Sequence, residues 1–208
     1  MCLTIQYLTN EEYNSNTYLI KNKNVENSCY LIDAGQSEKV FDALTKSDKI
    51  TAIFLTHAHY DHICGINQIT ARFPECVVYC SELTKKALAN SKINLSFYHS
   101  KPTVFISNKI IEVSEENKIE IYPQIHVAIL ATPGHNEGCL SFKIDNALFT
   151  GDSLIPGIAI VTKLKSGNKA EAPRSIIKIK DNTSRDDVIY PGHGRSFEAS
   201  KIDWNFYH

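Results

Sequence analysis

Residues 57–62 read His-Ala-His-Tyr-Asp-His, so His57, His59, Asp61 and His62 crowd imidazole and carboxylate donors into six consecutive positions. Donors at this density make either a charged surface turn or part of a metal site. In extended chain, side chains two residues apart project to the same side, so His57 and His59 can grip one ion. Asp61 and His62 fall where a helical pattern begins and point elsewhere, so the stretch can serve two ions. A metal site needs further donors, and the chain supplies three. Ala131-Thr132-Pro133-Gly134-His135, Phe149-Thr150-Gly151-Asp152 and Ile189-Tyr190-Pro191-Gly192-His193 each close an apolar run with a turn that carries one nitrogen or oxygen donor. Functional side chains are commonly displayed where strands give way to loops. The seven donors are imidazole or carboxylate and none is thiolate, which suits Zn²⁺ first and also admits Fe or Mn.

These positions need a scaffold of strands and helices. Thr17–Ile20 and Cys29–Ile32 read as strands around a turn-rich Asn22–Ser28 stretch. Ser37 is placed to cap a helix through Lys46 with Val40, Phe41 and Leu44 as its apolar stripe. Ile50–Leu55 reads as a buried strand. A helix then starts near Asp61, carries Ile63, Ile66, Ile69 and Phe73 on one face, and stops at Pro74. Cys76–Cys80 is a strand, and Ser81 caps a helix bearing Leu83, Ala87 and Leu88. Residues 91–102 read as a loop with exposed Phe97 and Tyr98. Further strands are expected at Val104–Ile106, Ile110–Val113, Ile119–Tyr122, His126–Ala131, Leu140–Ile144, Ala147–Thr150 and Asp187–Tyr190, with a helix over Ala172–Lys180. Strand-plus-helix units at both ends of a strand-rich middle fit two packed sheets with helices outside.

The chain has 208 residues, 43% hydrophobic and 22% charged, with 22 Lys+Arg against 23 Asp+Glu and a formal net charge of −1. That length buries a core without disulfide staples, and the charge balance argues against nucleic acid as a partner. The longest apolar stretches, such as Val127–Ala131, fall well short of the roughly 20 residues a membrane helix needs, so no membrane partner is expected. The N-terminal stretch lacks a basic region followed by a long apolar run, which points to a cytoplasmic protein. In that setting Cys2, Cys29, Cys64, Cys76, Cys80 and Cys139 are read as reduced thiols. Cys64, close behind His62, is a candidate pocket residue. Three histidines stand apart from the donor positions: His99 and His208 as solvent-facing residues, His126 as a structural one. The aromatic tail Trp204–Tyr207 either covers the core or forms a homodimer contact.

In order along residues 57 to 193, H-A-H-Y-D-H, T-P-G-H, T-G-D-S and Y-P-G-H resemble the motifs of the metallo-β-lactamase superfamily. L-I-D-A-G at 31–35 resembles its early strand–turn. The resemblance implies an α/β fold, a four-layer αβ/βα sandwich, with residues 1–208 as one domain and a dinuclear site at one edge. It implies that His57, His59 and His135 hold a first metal ion, that Asp61, His62 and His193 hold a second, and that Asp152 bridges them. Asp33 then either orients the site or caps turn amides. Within the superfamily, T-P-G-H-N-E-G-C-L-S-F at 132–142 is similar to the glyoxalase II-like hydroxyacylglutathione hydrolases.

The expected function is a hydrolase with two divalent ions. A hydroxide held between them attacks the carbonyl of a small-molecule thioester, ester or lactone, and Asp61 serves as the catalytic group that takes or relays the proton. Two other readings stay open on the same fold: a mono-iron persulfide dioxygenase-like oxidoreductase, and a non-catalytic metal-binding protein. G-D-S-L at 151–154 also matches the opening block of the GDSL esterases, with Ser153 as nucleophile, although no D-x-x-H follows it. Lys163 and Lys165 read as residues of a solvated loop, with contact to an anionic substrate group as the other option.

Overall fold

A computed structural model describes residues 3–207. Cys2 and His208, read above as a thiol and a tail residue, lie outside the described residues. Two six-stranded sheets face each other. The first comprises β1 (Leu3–Thr9), β2 (Asn16–Asn22), β3 (Val25–Ile32), β4 (Lys49–Phe54), β5 (Val77–Cys80) and β6 (Ile110–Glu112), in that spatial order. It is antiparallel through β3 and parallel from β3 to β6. The second comprises β7 (Lys118–Tyr122), β8 (Ile125–Ala131), β9 (Leu140–Ile144), β10 (Ala147–Gly151), β11 (Val188–Pro191) and β12 (Phe197–Glu198), again in spatial sequence. Only its β10–β11 pair is parallel.

Strand periodicity explains the layers, because alternate side chains of one strand reach opposite faces. Tyr18, Ile20, Tyr30, Ile32 and Phe54 point between the sheets and meet Ile129, Phe142, Ile144 and Phe149. The rings interlock there: Phe54 lies 5.5 Å from Phe142 and Tyr18 lies 5.3 Å from Phe149. Burying a side chain of this size stabilises the fold by about 1.5–3 kcal/mol. The alternate residues Leu19, Leu31 and Ile53 face outward onto α1 (Ser37–Ala43), α3 (Ile66–Arg72) and α4 (Glu82–Leu88), where Val40, Ile66, Ile69 and Leu88 are buried. On the far face of the second sheet, Ile176 and Ile179 of α5 (Ala172–Asp181) cover Leu148 and Ile189. Helices, sheet, sheet and helix give the four-layer αβ/βα sandwich. Ser81 caps α4 as expected, its Oγ accepting from Thr84 N at 3.1 Å.

Three local expectations need correction, and one strand lay outside them. The helix expected from Asp61 to Phe73 is broken into α2 (Tyr60–Ile63) and α3. The Ala34–Gly35 turn packs into the break: Ala34 N donates to the His62 carbonyl and Gly65 N donates to the Ala34 carbonyl. A Cβ on Gly65 would fall 1.9 Å from the Gly35 oxygen, so only glycine permits this approach. Helix α1 ends at Ala43 rather than Lys46, because Leu44 is extended. The apolar Val104–Ile106 is irregular: Phe105 is buried, while Val104 and Ile106 are exposed. Strand β1 was not anticipated and pairs residue for residue with β2 from Leu3–Asn22 to Thr9–Asn16.

The aromatic tail packs Trp204 and Tyr207 onto the α5 cluster. Among the described residues no helix is long and apolar enough to cross a membrane, and Cys29, Cys64, Cys76, Cys80 and Cys139 are free thiols.

Candidate metal centre

The seven donor residues come from five segments at one edge of the sandwich. His57 and His59 follow the C-terminal end of β4, and Asp61 and His62 sit on α2. His135 follows β8, Asp152 follows β10, and His193 follows β11. Outside the carboxyl ends of strands is the usual place for a site in α/β sheets. Hydrogen bonds between the sheets fix this edge. Asn16 N donates to the Gly192 carbonyl at 2.7 Å, and Leu140 N donates to the Thr56 carbonyl at 2.8 Å.

The side chains converge on two adjoining clusters. His57, His59 and His135 form one; Asp61, His62 and His193 form the other; a third overlapping group joins His57, His62 and Asp152. Within each group the potential donor atoms lie within 4.8 Å of one another. His59 Nδ1 stands 3.1 Å from His57 Nε2 and 2.9 Å from His135 Nε2. In the second cluster Asp61 Oδ2 is 3.4 Å from His62 Nε2 and 3.3 Å from His193 Nε2. Asp152 reaches both clusters: Oδ2 is 3.4 Å from His135 Nε2 and from His193 Nε2, and Oδ1 is 3.5 Å from His62 Nε2.

The opposite ring nitrogens are held. His57 Nδ1 contacts Thr56 Oγ1 at 3.1 Å, and Thr56 Oγ1 donates to Asp33. His62 Nδ1 donates to Asp33 Oδ2 at 2.8 Å. His135 Nδ1 donates to the Val161 carbonyl at 2.8 Å, and His193 Nδ1 donates to the Tyr13 carbonyl at 3.1 Å. These bonds set ring orientation and leave Nε2 of four histidines facing inward. Asp33 therefore orients His62 and also accepts the Thr56 amide at 2.7 Å, which joins its two expected roles.

Charge divides the clusters. Burial, reinforced by the neighbouring histidines, lowers the His57 pKa well below its ordinary value and brings His59 down to about 3. Burial lowers His135 as well. The first cluster is thus a set of neutral imidazoles. Burial would also lower His62 and His193, but carboxylates outweigh it. Asp61, Asp33 and Asp152 raise His62 to about 9, and Asp152 and Asp61 raise His193 to about 10.

The donor set fits a divalent cation. His62 Nε2 and Asp152 Oδ1 are buried without a hydrogen-bond partner. They face each other at 3.5 Å, an ion pair too long for a hydrogen bond, and coordination to a cation would satisfy both. The chain also makes room for them, because a Cβ on Gly192 would fall 2.0 Å from Asp152 Oδ1.

A cleft of about 530 Å³ opens above the clusters, with His59, Asp61, His135, Asp152 and His193 on its floor. Its walls include Tyr13, Tyr60, Leu95, Tyr98, His99 and Leu164, which motif reasoning did not assign. Tyr60 lies inside the quoted histidine motif, but nothing in the spacing marks it as a wall. His99 is not a free surface residue: it stacks on Tyr60 at 3.9 Å and meets Tyr13 edge-on at 5.7 Å. Cys64 opens on a different hollow, beside Glu38 and Asn67. Lys163 and Lys165 are exposed on either side of Leu164. Ser153 is buried with its hydroxyl donated to the Thr132 carbonyl, which disarms it as a nucleophile.

Residues 10–193 match the family described as the metallo-beta-lactamase superfamily. The chain belongs to that superfamily. Among superfamily relatives, the hydroxyacylglutathione hydrolase of Buchnera aphidicola subsp. Schizaphis graminum is 33% identical over 131 residues, covering 62% of this chain and 44% of that protein. A "Probable metallo-hydrolase" of Streptococcus pyogenes serotype M6 is 28% identical over 202 residues, covering 93% of this chain and 83% of the relative. The chain spans about half the length of the hydroxyacylglutathione hydrolases it matches. The crystal structure of the B3 metallo-beta-lactamase BLEG-1 shares the metallo-beta-lactamase fold, with a TM-score of 0.84 at 23% identity and 93% of each chain covered.

Proposed function

We propose that this protein is a dinuclear metal-dependent hydrolase that attacks the carbonyl carbon of a small-molecule thioester, ester or lactone and breaks its acyl–sulfur or acyl–oxygen bond. The observation that carries this reading is the second cluster of Asp61, His62 and His193 beside Asp152, whose buried Oδ1 makes no hydrogen bond. A mono-iron oxidoreductase on the same fold resembles the same motif set, so the number of ions bound separates the two readings. His57, His59 and His135 would hold one ion, Asp61, His62 and His193 the other, and Asp152 would bridge. Zn²⁺ suits these nitrogen and oxygen donors first, with Fe or Mn admitted. When bound, two such ions polarise a carbonyl oxygen, stabilise a leaving group and lower the pKa of a coordinated water toward about 7.

The chain's own groups do the rest. His62 and His193 hold the Asp61 carboxyl below its ordinary pKa against the effect of burial, so it is ionised at neutral pH. Asp61 lies on the cleft floor and is placed to accept a proton there. Asp33, Thr56 and the Val161 and Tyr13 carbonyls keep the imidazoles aimed inward. The floor donors His59, Asp61, His135 and Asp152 are themselves buried, which strengthens electrostatic interactions among them. Residues 1–208 act as one domain in this reading, and the free thiols fit a cytoplasmic setting.

The test is metal analysis and turnover on the same preparation. Protein loaded in turn with Zn²⁺, Fe and Mn is assayed for metal content and against a panel of thioesters, esters and lactones. Two ions per chain with hydrolysis of at least one class is the expected result. One iron per chain with oxygen consumption on a persulfide would replace this reading with the oxidoreductase. Ser153→Ala is expected to retain activity, and Asp61→Asn to lose it, with metal content measured for both.

A further inference from the structure

Seven described residues other than glycine hold φ in the left-handed region. Five are Asn, Asp or Gln. The other two are bulky, Tyr13 at φ 54° and Leu95 at φ 67°, and both line the cleft above the candidate metal centre. Bulky side chains avoid this conformation, so it persists only where the surroundings impose it, and such positions gather at functional sites.

Buried groups impose it at Leu95. Asn94 Nδ2 donates to the carbonyls of Ala87 at 3.1 Å and Thr103 at 3.0 Å. Ser96 N donates to Asn94 Oδ1 at 3.0 Å, and Thr103 N donates to Ser96 Oγ at 2.8 Å. This pinned loop presents Leu95 and Tyr98 to the cleft. Tyr13 is fixed from the other side, because its carbonyl accepts His193 Nδ1. Tyr13 and Tyr98 keep 65% and 76% of their surface exposed, so ring area is available to a ligand.

Among the described residues that line the cleft, none is Lys or Arg. Lys163 and Lys165 flank Leu164 but do not line the cleft, so an anionic substituent held against Tyr13, Leu95 and Tyr98 would lose water without gaining a charged wall partner. We propose that the cleft selects uncharged carbonyl substrates bearing a flat apolar group, best an aryl ring beside the scissile bond, with Tyr13, Leu95, Tyr98 and Leu164 as its specificity-determining residues. This rests on the hydrolytic reading of the centre, but the selection by the wall can be measured without turnover.

The probes are an aryl methyl ketone, which keeps the carbonyl but has no leaving group, and its ring sulfonate, which adds a charge that coordinates metals weakly. Affinities for the metal-loaded protein are measured by ligand-observed NMR. The neutral ketone is expected to bind about tenfold more tightly than the sulfonate, and Tyr98→Ala to lose most of that margin, on the scale of one aromatic contact. Leu95→Gly controls for folding, because glycine takes φ 67° without strain and the melting temperature is expected to hold while ketone affinity falls. Equal binding of the two probes, or unchanged ketone affinity in both variants, overturns the proposal even if the enzyme hydrolyses esters. Wall-dependent binding without hydrolysis of any panel member would instead keep the wall and remove the hydrolytic reading.

Discussion

Asp33 and His62, 29 positions apart in the chain, are joined by a 2.8 Å hydrogen bond from His62 Nδ1 to Asp33 Oδ2, with both side chains almost wholly removed from solvent. Asp33 also accepts the Thr56 amide and hydroxyl, and Thr56 in turn contacts His57. One carboxylate thus links the orientations of a histidine in each cluster.

Replacing that carboxylate is expected to damage metal binding before it damages the fold. Asp33→Asn keeps the size of the side chain but removes the charge that favours His62, and partners of this kind are worth about 10–100-fold in metal affinity. Competition with a chromophoric chelator measures it, and an unchanged affinity would deny Asp33 its orienting role. Asp33→Ala also leaves buried donors unpaired and is expected to cost about 3 kcal/mol or more in chemical denaturation.

Gly192→Ala tests the space around Asp152. Its Cβ would fall 2.0 Å from Asp152 Oδ1 and 2.9 Å from His62 Cε1. Asp152 must therefore swing away, and overpacking of this kind costs about 1–3 kcal/mol. The variant is expected to lose at least one ion by elemental analysis and to melt at a lower temperature. Full metal content would show that Asp152 is not needed as the bridge.

Metal uptake should release protons. In the metal-free protein His62 and His193, with pKa values raised to about 9 and about 10, carry protons at neutral pH that a metal ion must displace. The sign follows from the raised values. Their contribution to the stability of the metal-free fold is fully present below the unfolded value of 6.5 and is lost as pH rises through 9 to 10. Metal affinity moves the other way and climbs with pH over the same window. Calorimetry in two buffers of different ionisation enthalpy is expected to show about two protons released at pH 7 and few above pH 10; no release at pH 7 would contradict this.

The seven donor positions were legible because each follows a strand pattern or opens a helix, and such patterns reach only a few residues along the chain. Most strands were legible for the same reason. Val104–Ile106 has the apolar character of a strand and yet pairs with no sheet edge. The break at Gly65 depends on the Ala34–Gly35 turn, which is distant in sequence and packs against it.

By itself the sequence determined the donor chemistry, the order of the motifs and the alternating faces that make two sheets. Those features are written in residue type and short-range period. Only the tertiary structure decided that Asp152 reaches both clusters, that Asp33 ties His57 to His62 through Thr56, and that Tyr13, Leu95, Tyr98 and His99 wall one cleft. These relations join segments brought side by side by sheet order and loop packing, and no local period encodes which distant residues will meet.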